Sequence, residues 1–228
     1  LLNSNFEEWY DKNHDKSYKE FPFSPKKMSV SGALFDLVKL NDVSKNYISR
    51  LSAEEVYNLT LSYAEKYDTE FYEFLKAHKD KTIEILNIGR GGNKPRKDFA
   101  VWSEVKGYMG FMFDKYYNAG GEYPQGFESS LIADVLKAYL AAYSPEDDQS
   151  AWFDKMKDVA EKFGFAREMK EYKANPEAYK GSIGDISSFV RVAITGKQNA
   201  PDLYTVMNIL GENKSRERIE KQIERLGG

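Results

Sequence analysis

A polar loop near the C-terminus carries residues whose types suit the binding of unpaired bases. It runs from 195 to 203 with the sequence Thr-Gly-Lys-Gln-Asn-Ala-Pro-Asp-Leu. Amides such as those of Gln198 and Asn199 both donate and accept hydrogen bonds. Unstacked bases are read through their Watson–Crick edges, by short donors and acceptors beside a surface on which the base stacks. The candidate base-contacting residues are Lys197, Gln198, Asn199, Ala200, Pro201 and Leu203.

Arg191 lies about one helical turn before this loop. Its guanidinium group is able to hold a phosphate or a base edge with two N–H groups at once. The alternative is that Arg191 forms an ion pair with Asp185 or Asp202 on the helix surface. The sequence leaves both interpretations open.

A second loop, from 87 to 98, is rich in glycine and carries four cationic side chains. Glycine lets a phosphate approach the backbone closely, and Lys and Arg supply the charge that attracts it. Trp102 and Tyr108 follow the loop and offer stacking surfaces. A basic, glycine-rich loop is also common as a simple surface connection, so RNA contact is one of two interpretations. The candidate contacts to an RNA backbone are Arg90, Lys94, Arg96 and Lys97.

The stretch Lys26-Lys-Met-Ser-Val-Ser31 resembles the Lys-Met-Ser-Lys-Ser loop with which class I synthetases bind the phosphates of ATP. Val30 replaces the second lysine, and only 25 residues precede the stretch, too few for a nucleotide-binding fold. His14 and His78 are the only histidines, so the partner motif His-x-Gly-His is missing, and neither has neighbours at metal-ligand spacing. We therefore expect no catalytic residue, no metal site and no cofactor in this chain.

Composition excludes several other classes of protein. The chain has no cysteine, which removes disulfides, thiolate zinc sites and thiol nucleophiles. No apolar run approaches the roughly 20 residues that span a bilayer, and there is no signal peptide, so we expect a cytoplasmic protein. The net charge is −5 over residues 1–150 (19 basic, 24 acidic) and +2 over residues 151–228 (14 basic, 12 acidic). The C-terminal third is therefore the better place to expect RNA.

Helical patterns dominate, and strand patterns are almost absent. Ser52 and Glu55 have the spacing of a capping box, and Asp68 or Thr69 is suited to cap the next helix. Pro201 is suited to the first turn of a later helix. Further apolar periodicity predicts helices over 127–143, 152–163, 183–194, 201–210 and 213–226, with stops at Gly164, Gly196 and Gly211.

The sequence therefore predicts an all-α fold in three parts. A connecting segment occupies residues 1–50, a first helical subdomain residues 51–145 and a second residues 146–228. The boundary is placed at the acidic turn Ser144-Pro-Glu-Asp-Asp-Gln149. We expect a monomer.

Two segments resemble the glutamyl-tRNA synthetase family, in the right order along the chain. The first comprises Met28-Ser-Val-Ser-Gly-Ala-Leu-Phe-Asp-Leu-Val-Lys-Leu40, Asn41-Asp-Val-Ser-Lys-Asn-Tyr-Ile48 and Leu51-Ser-Ala-Glu-Glu55. The second comprises Gly184-Asp-Ile-Ser-Ser-Phe-Val-Arg-Val-Ala-Ile-Thr-Gly196, then Lys197 to Leu203 and Ile209-Leu-Gly211. Between about 100 and 150 the resemblance is weak.

The resemblance implies the all-helical, anticodon-binding C-terminal half of a class I glutamate-tRNA ligase, with two consecutive helical-bundle subdomains. It implies a glutamate-accepting tRNA as partner, and ATP with Mg in a catalytic domain outside this chain, so that the chain alone is inactive. Arg191, Ala200, Pro201 and Leu203 fall on family positions that contact the anticodon. Ala200 is often threonine in the family, so any hydroxyl contact to a base is lost or replaced here. The alternative from a different class is a helical protein-interaction scaffold with no RNA role.

Overall fold

The computed structural model describes residues 6–28 and 36–227. The chain divides into two compact units, residues 1–43 and residues 44–228. Within the described ranges the chain forms twelve α-helices and no strand, and Ala166 and Ser182 form an isolated bridge. The predicted all-α class is confirmed. The helices of these ranges are α1 (Phe6–Lys12), α2 (Leu37–Arg50), α3 (Ala53–Tyr67), α4 (Thr69–Ala77), α5 (Lys79–Leu86), α6 (Ser103–Met109), α7 (Ser129–Ala142), α8 (Gln149–Lys162), α9 (Met169–Ala174), α10 (Ile183–Thr195), α11 (Leu203–Leu210) and α12 (Glu212–Arg225).

The first unit is small and is held together by aromatic side chains. Phe21 packs edge-on against Phe6 and Trp9, with ring centroids 5.1 and 5.5 Å away. Lys26 and Lys27 lie in a short 3-10 turn, Pro25–Lys27. The rest of that motif, residues 29–31, and the family-like positions up to Phe35 lie outside the described residues.

The helix starts in the second unit follow from local capping chemistry. Ser52 accepts a hydrogen bond from the Glu55 amide at 3.2 Å, and the Glu55 carboxylate accepts from the Ser52 amide at 2.8 Å. This confirms the predicted capping box. Asp68 rather than Thr69 caps α4, because its side chain accepts from the Phe71 amide at 3.0 Å.

One of the predicted helix starts is wrong. Pro201 does not lie in the first turn of α11, which begins at Leu203. Asp202 is the N-cap, and its side chain accepts from the Thr205 amide at 2.9 Å. A carboxylate that satisfies a free N–H of the first turn competes well with proline for setting the start of the helix. Pro201 therefore belongs to the loop.

The last helix is joined to the middle of the chain by a buried arginine. Arg218 of α12 is 1% exposed and donates to the carbonyl oxygens of Phe111 and Ile194, each at 2.8 Å. Its guanidinium lies 3.8 Å from the centre of the Tyr117 ring. The C-terminal end of α10 is thereby fixed against both α12 and the segment after α6. No helix of the described residues is both long and apolar enough to cross a membrane.

Candidate nucleic-acid interface

The loop from 196 to 202 connects α10 to α11 and has a fixed start. Gly196 ends α10 with φ 69°, a left-handed conformation that glycine adopts without strain. The Thr195 hydroxyl donates to the Arg191 carbonyl at 2.7 Å and accepts from the Lys197 amide at 3.1 Å. The loop therefore leaves the helix in one defined direction.

The predicted base-contacting residues divide into an exposed tip and a buried base. Lys197, Gln198 and Asn199 are exposed residues. Ala200, Pro201 and Leu203 are buried. Their contribution in the structure is to support the tip, and base contact through their side chains stays a prediction.

Two side chains of the tip are attached to neighbouring segments. The Lys197 ammonium donates to the carbonyl of Gly107, and burial lowers the pKa of this lysine. The Gln198 amide donates to the carbonyl of Glu122 at 3.1 Å. The loop is therefore already ordered without a ligand, which reduces the entropy lost on binding one.

The second predicted loop is fixed by Arg90, which has a structural role. Its guanidinium donates to the carbonyls of Leu86, Ile48 and Leu51 at 2.6, 2.8 and 3.2 Å. Burial lowers the pKa of this arginine. These bonds occupy carbonyls at the ends of α5 and α2, and they account for Arg90 without RNA, so its phosphate contact stays a prediction.

Arg96 brings the two predicted loops together. It forms an ion pair with Asp98 at 2.6 Å, and the same terminal nitrogen lies 3.4 Å from the carbonyl oxygen of Ala200. The hydrogen bond to Asp98 raises the pKa of Arg96. Burial, with the Asp98 charge as a smaller cause, raises the pKa of Tyr108. A cavity of about 180 Å³ at this junction is lined by Arg96, Asp98, Glu104, Gly107, Tyr108, Lys197, Asn199, Ala200 and Pro201.

Arg191 faces a separate cavity of about 710 Å³. Within the described part of the chain its side chain has no ion pair with Asp185 or Asp202, and its buried Nε has no hydrogen-bond partner. Burial lowers the pKa of Arg191, while the nearby Asp202 raises it by a smaller amount. This Nε is inaccessible to solvent, so the terminal nitrogens of Arg191, which are not buried, are the donors available to a ligand in the cavity. The cavity is lined by Asp148, Gln149, Ser150, Trp152, Phe153, Asp154, Lys157, Ser187, Arg191, Asp202 and Leu203.

Several residues at these cavities were not identified from the sequence. Asp98 and Glu104 are neither part of a motif nor at a special spacing. Trp152 and Phe153 appear in the sequence as the apolar face of an amphipathic helix, and Trp152 does pack in the core at 7% exposure. The one available signal was the run of polar residues at the start of α8, which includes Gln149. Among the described residues, no group of three or more histidine, aspartate or glutamate side chains is placed to hold a metal ion.

Comparison with known families gives the class of protein. The family model described as "Anticodon binding domain" matches residues 103–223, which is more than half of the 228 residues. The chain therefore belongs to the anticodon-binding domain family. The match begins at α6 and ends within α12, and it includes every lining residue of the cavity that Arg191 faces, whereas Arg96 and Asp98 of the junction cavity precede it.

The relatives that align over nearly the whole chain are glutamate–tRNA ligases. That of Acetivibrio thermocellus is 45% identical over 221 residues, which is 97% of this chain and 40% of the relative. That of Clostridium perfringens strain SM101 is 43% identical over 225 residues, 97% of this chain and 41% of the relative. That of Sorangium cellulosum is 38% identical over 223 residues, 97% of this chain and 39% of the relative. The chain thus spans about two fifths of the length of these relatives.

A solved structure supports the fold. The glutamate-tRNA synthetase of Elizabethkingia anophelis superposes with a TM-score of 0.53 over 94% of this chain and 37% of that chain, at 17% sequence identity. At this identity the similarity concerns the fold alone. It agrees with an all-helical arrangement along almost the entire chain.

Proposed function

We propose that this chain is the tRNA-binding region of a glutamate–tRNA ligase and that it holds the anticodon loop of a glutamate-accepting tRNA. The observation that carries the proposal is the convergence of the two polar loops, where Arg96 reaches Ala200, together with Arg191, whose guanidinium has no hydrogen-bond partner among the described residues. Family membership and the glutamate–tRNA ligase relatives support it.

In this proposal Arg191 reads one splayed-out base or holds its phosphate. A guanidinium group forms two parallel hydrogen bonds to a planar acceptor pair, which gives both energy and orientation. Phe153 and Trp152 line the same cavity, so a base that enters it contacts aromatic side chains as well as the guanidinium of Arg191. Gln198 and Asn199 lie at the exposed tip and supply the amide groups for a second base.

In this proposal, the chemistry of aminoacylation takes place in the part of the ligase that lies outside this chain. There ATP and Mg would activate glutamate, which is passed to the terminal ribose of the tRNA. This chain contributes position: residues 51–145 and 146–228, as the two predicted helical subdomains, hold the tRNA while its acceptor end reaches the active site. A cytoplasmic location and a monomeric state stay predictions of the sequence.

The test is a comparison of two tRNAs and two arginines. Binding of the chain to a glutamate-accepting tRNA and to an unrelated tRNA is measured by fluorescence anisotropy at fixed salt, for the wild type and Arg191→Ala. A bidentate base contact discriminates by about 1–3 kcal/mol, so the variant should lose about tenfold or more in affinity for the glutamate-accepting tRNA. Affinity for the unrelated tRNA should fall much less.

Arg167→Ala is the matched control, because Arg167 forms ion pairs with Asp158 and Glu161 at the surface of the chain. It should leave both affinities unchanged. Equal losses for the two tRNAs in Arg191→Ala would contradict specific reading by this residue. A wild-type chain with no salt-dependent tRNA binding at micromolar concentration would instead favour the protein-interaction scaffold.

A further inference from the structure

A cleft of about 710 Å³ lies between the C-terminal end of α2 and the glycine-rich loop, apart from the cavity that Arg191 faces. We name it the α2 cleft. It is lined by Asn46, Ser49, Arg50, Gly91, Gly92, Asn93, Lys94, Pro95 and Lys97. Three of these residues are cationic and none is acidic. In a chain with a net charge of −3, an acid-free cleft with three cations favours an anionic ligand.

Arg90 builds this cleft. The C-terminal end of a helix carries partial negative charge on its free carbonyl groups, which repels anions. Arg90 donates to the carbonyls of Ile48 and Leu51, and so covers this negative end while holding the loop against it. The positive charges of Lys94 and Lys97 then face the cleft without competition from those two carbonyls.

The loop also presents backbone donors. Gly91 has φ 76°, and an added Cβ at Gly91 or Gly92 would meet nothing within 4 Å, so the backbone is open to a ligand. Among the described residues, no hydrogen bond engages the N–H groups of residues 91–94. Consecutive free backbone N–H groups next to lysines are a common phosphate-binding arrangement in proteins.

The segment 95–98 separates the α2 cleft from the cavity at the junction of the two loops. Pro95 and Lys97 line the α2 cleft, whereas Arg96 and Asp98 line the junction cavity. This alternation is that of an extended backbone, in which successive side chains point to opposite sides. An RNA strand held in the junction cavity therefore has the α2 cleft on the other side of this one segment.

We propose that the α2 cleft binds phosphate groups of the RNA backbone next to the bases held by the anticodon-binding loops. The proposal rests on tRNA binding by this chain and adds a second, sequence-independent contact to it. Asn46, Ser49 and Arg50 of α2 form one wall, and the N–H groups of 91–94 with Lys94 and Lys97 form the other. The contact contributes affinity and register without reading sequence.

The test is the salt dependence of tRNA binding. For the double variant Lys94→Gln, Lys97→Gln, the slope of log K against log[KCl] should decrease in magnitude by about 0.7–0.9 for each lost phosphate contact. Affinity should fall by the same factor for a glutamate-accepting and an unrelated tRNA. The single variant Arg50→Gln should also decrease the magnitude of the slope, and it tests the α2 wall separately from the lysines.

The chain offers matched controls for both walls. Lys170→Gln, Lys173→Gln removes two exposed lysines at the same three-residue spacing on α9, and Lys45→Gln removes a cation of α2 that does not line the cleft. Both should leave the slope unchanged. Slopes in the cleft variants equal to those of the controls would overturn the α2 cleft while tRNA binding by the wild type still supported the proposed function. No binding by the wild type would overturn both.

Discussion

The guanidinium of Arg96 lies 3.4 Å from the carbonyl oxygen of Ala200, a residue 104 positions later in the chain. The same guanidinium forms an ion pair with Asp98, whose side chain is 15% exposed. Asp98 therefore holds Arg96 in the position from which it meets the second loop. Through this relationship the two loops form one surface.

Asp98→Asn should loosen that surface. The substitution removes the charge that orients Arg96. We expect the free energy of unfolding to fall by about 1–2 kcal/mol, near the lower end for a hydrogen bond to a charged group, because the Arg96 side chain is 36% exposed. Urea unfolding followed by circular dichroism measures the change. Asp134→Asn removes a more exposed carboxylate, 60% accessible and 3.6 Å from Lys137, and should change stability by less than about 0.5 kcal/mol. Equal effects of the two substitutions would contradict a positioning role for Asp98.

Gly121→Ala should displace the start of the 196–202 loop. A Cβ at Gly121 would clash with the carbonyl group of Gly196, which is backbone and has little room to move. Overpacking of this kind costs about 1–3 kcal/mol. We therefore expect a lower free energy of unfolding in urea together with weaker discrimination between the two tRNAs.

Gly107→Ala is the control for Gly121→Ala, since nothing lies within 4 Å of an added Cβ there. Gly107 lies in α6, where alanine is the better helix former, so stability should stay the same or rise by up to about 1 kcal/mol. If Gly121→Ala behaved like Gly107→Ala, the close backbone approach would not be what holds the loop.

Arg218→Met should be strongly destabilising. The methionine side chain has similar length but no donor, so the buried carbonyls of Phe111 and Ile194 lose their partner. Buried polar groups without partners cost about 1–3 kcal/mol each, and we expect a total loss of about 3 kcal/mol in urea unfolding. Lys221→Met, on the exposed side of the same helix, should cost no more than about 0.5 kcal/mol. A loss below 1 kcal/mol for Arg218→Met would show that water or a shifted side chain replaces the arginine.

Removal of Lys106 should change the pH dependence of stability. The hydrogen bond from Lys106 lowers the pKa of Asp68, and the two groups lie 2.8 Å apart. A carboxylate whose pKa is lower in the folded state stabilises the fold above its unfolded pKa of about 4, and this contribution is lost as the pH falls through the folded pKa. Between pH 6 and pH 3 the wild type should therefore lose more stability than Lys106→Met, by up to about 1 kcal/mol.

Urea unfolding at a series of pH values measures this difference. Lys76→Met is the control, because its partner Glu73 is 63% exposed and the pair is more strongly screened. Its curve should run parallel to that of the wild type. Parallel curves for Lys106→Met as well would show that the lysine does not set the pKa of Asp68.

The helix starts and stops that depend on neighbouring residues follow from the sequence. The Ser52 box, the Asp68 cap and the Gly196 stop each involve groups within four residues of one another. Such interactions need no knowledge of the rest of the fold. The exception is Pro201, because the next residue, Asp202, is also suited to start the helix and acts as its N-cap.

By itself, then, the sequence determined the helical class, the boundaries of several helices, the family resemblance and the two loops that carry polar and cationic residues. Only the tertiary structure decided which arginines are available. Arg90 and Arg218 donate to backbone carbonyls, whereas the guanidinium of Arg191 has no hydrogen-bond partner among the described residues. The physical reason is that a guanidinium bonds to whichever acceptor the packing of distant helices brings within reach, and the spacing of residues along the chain does not specify that acceptor.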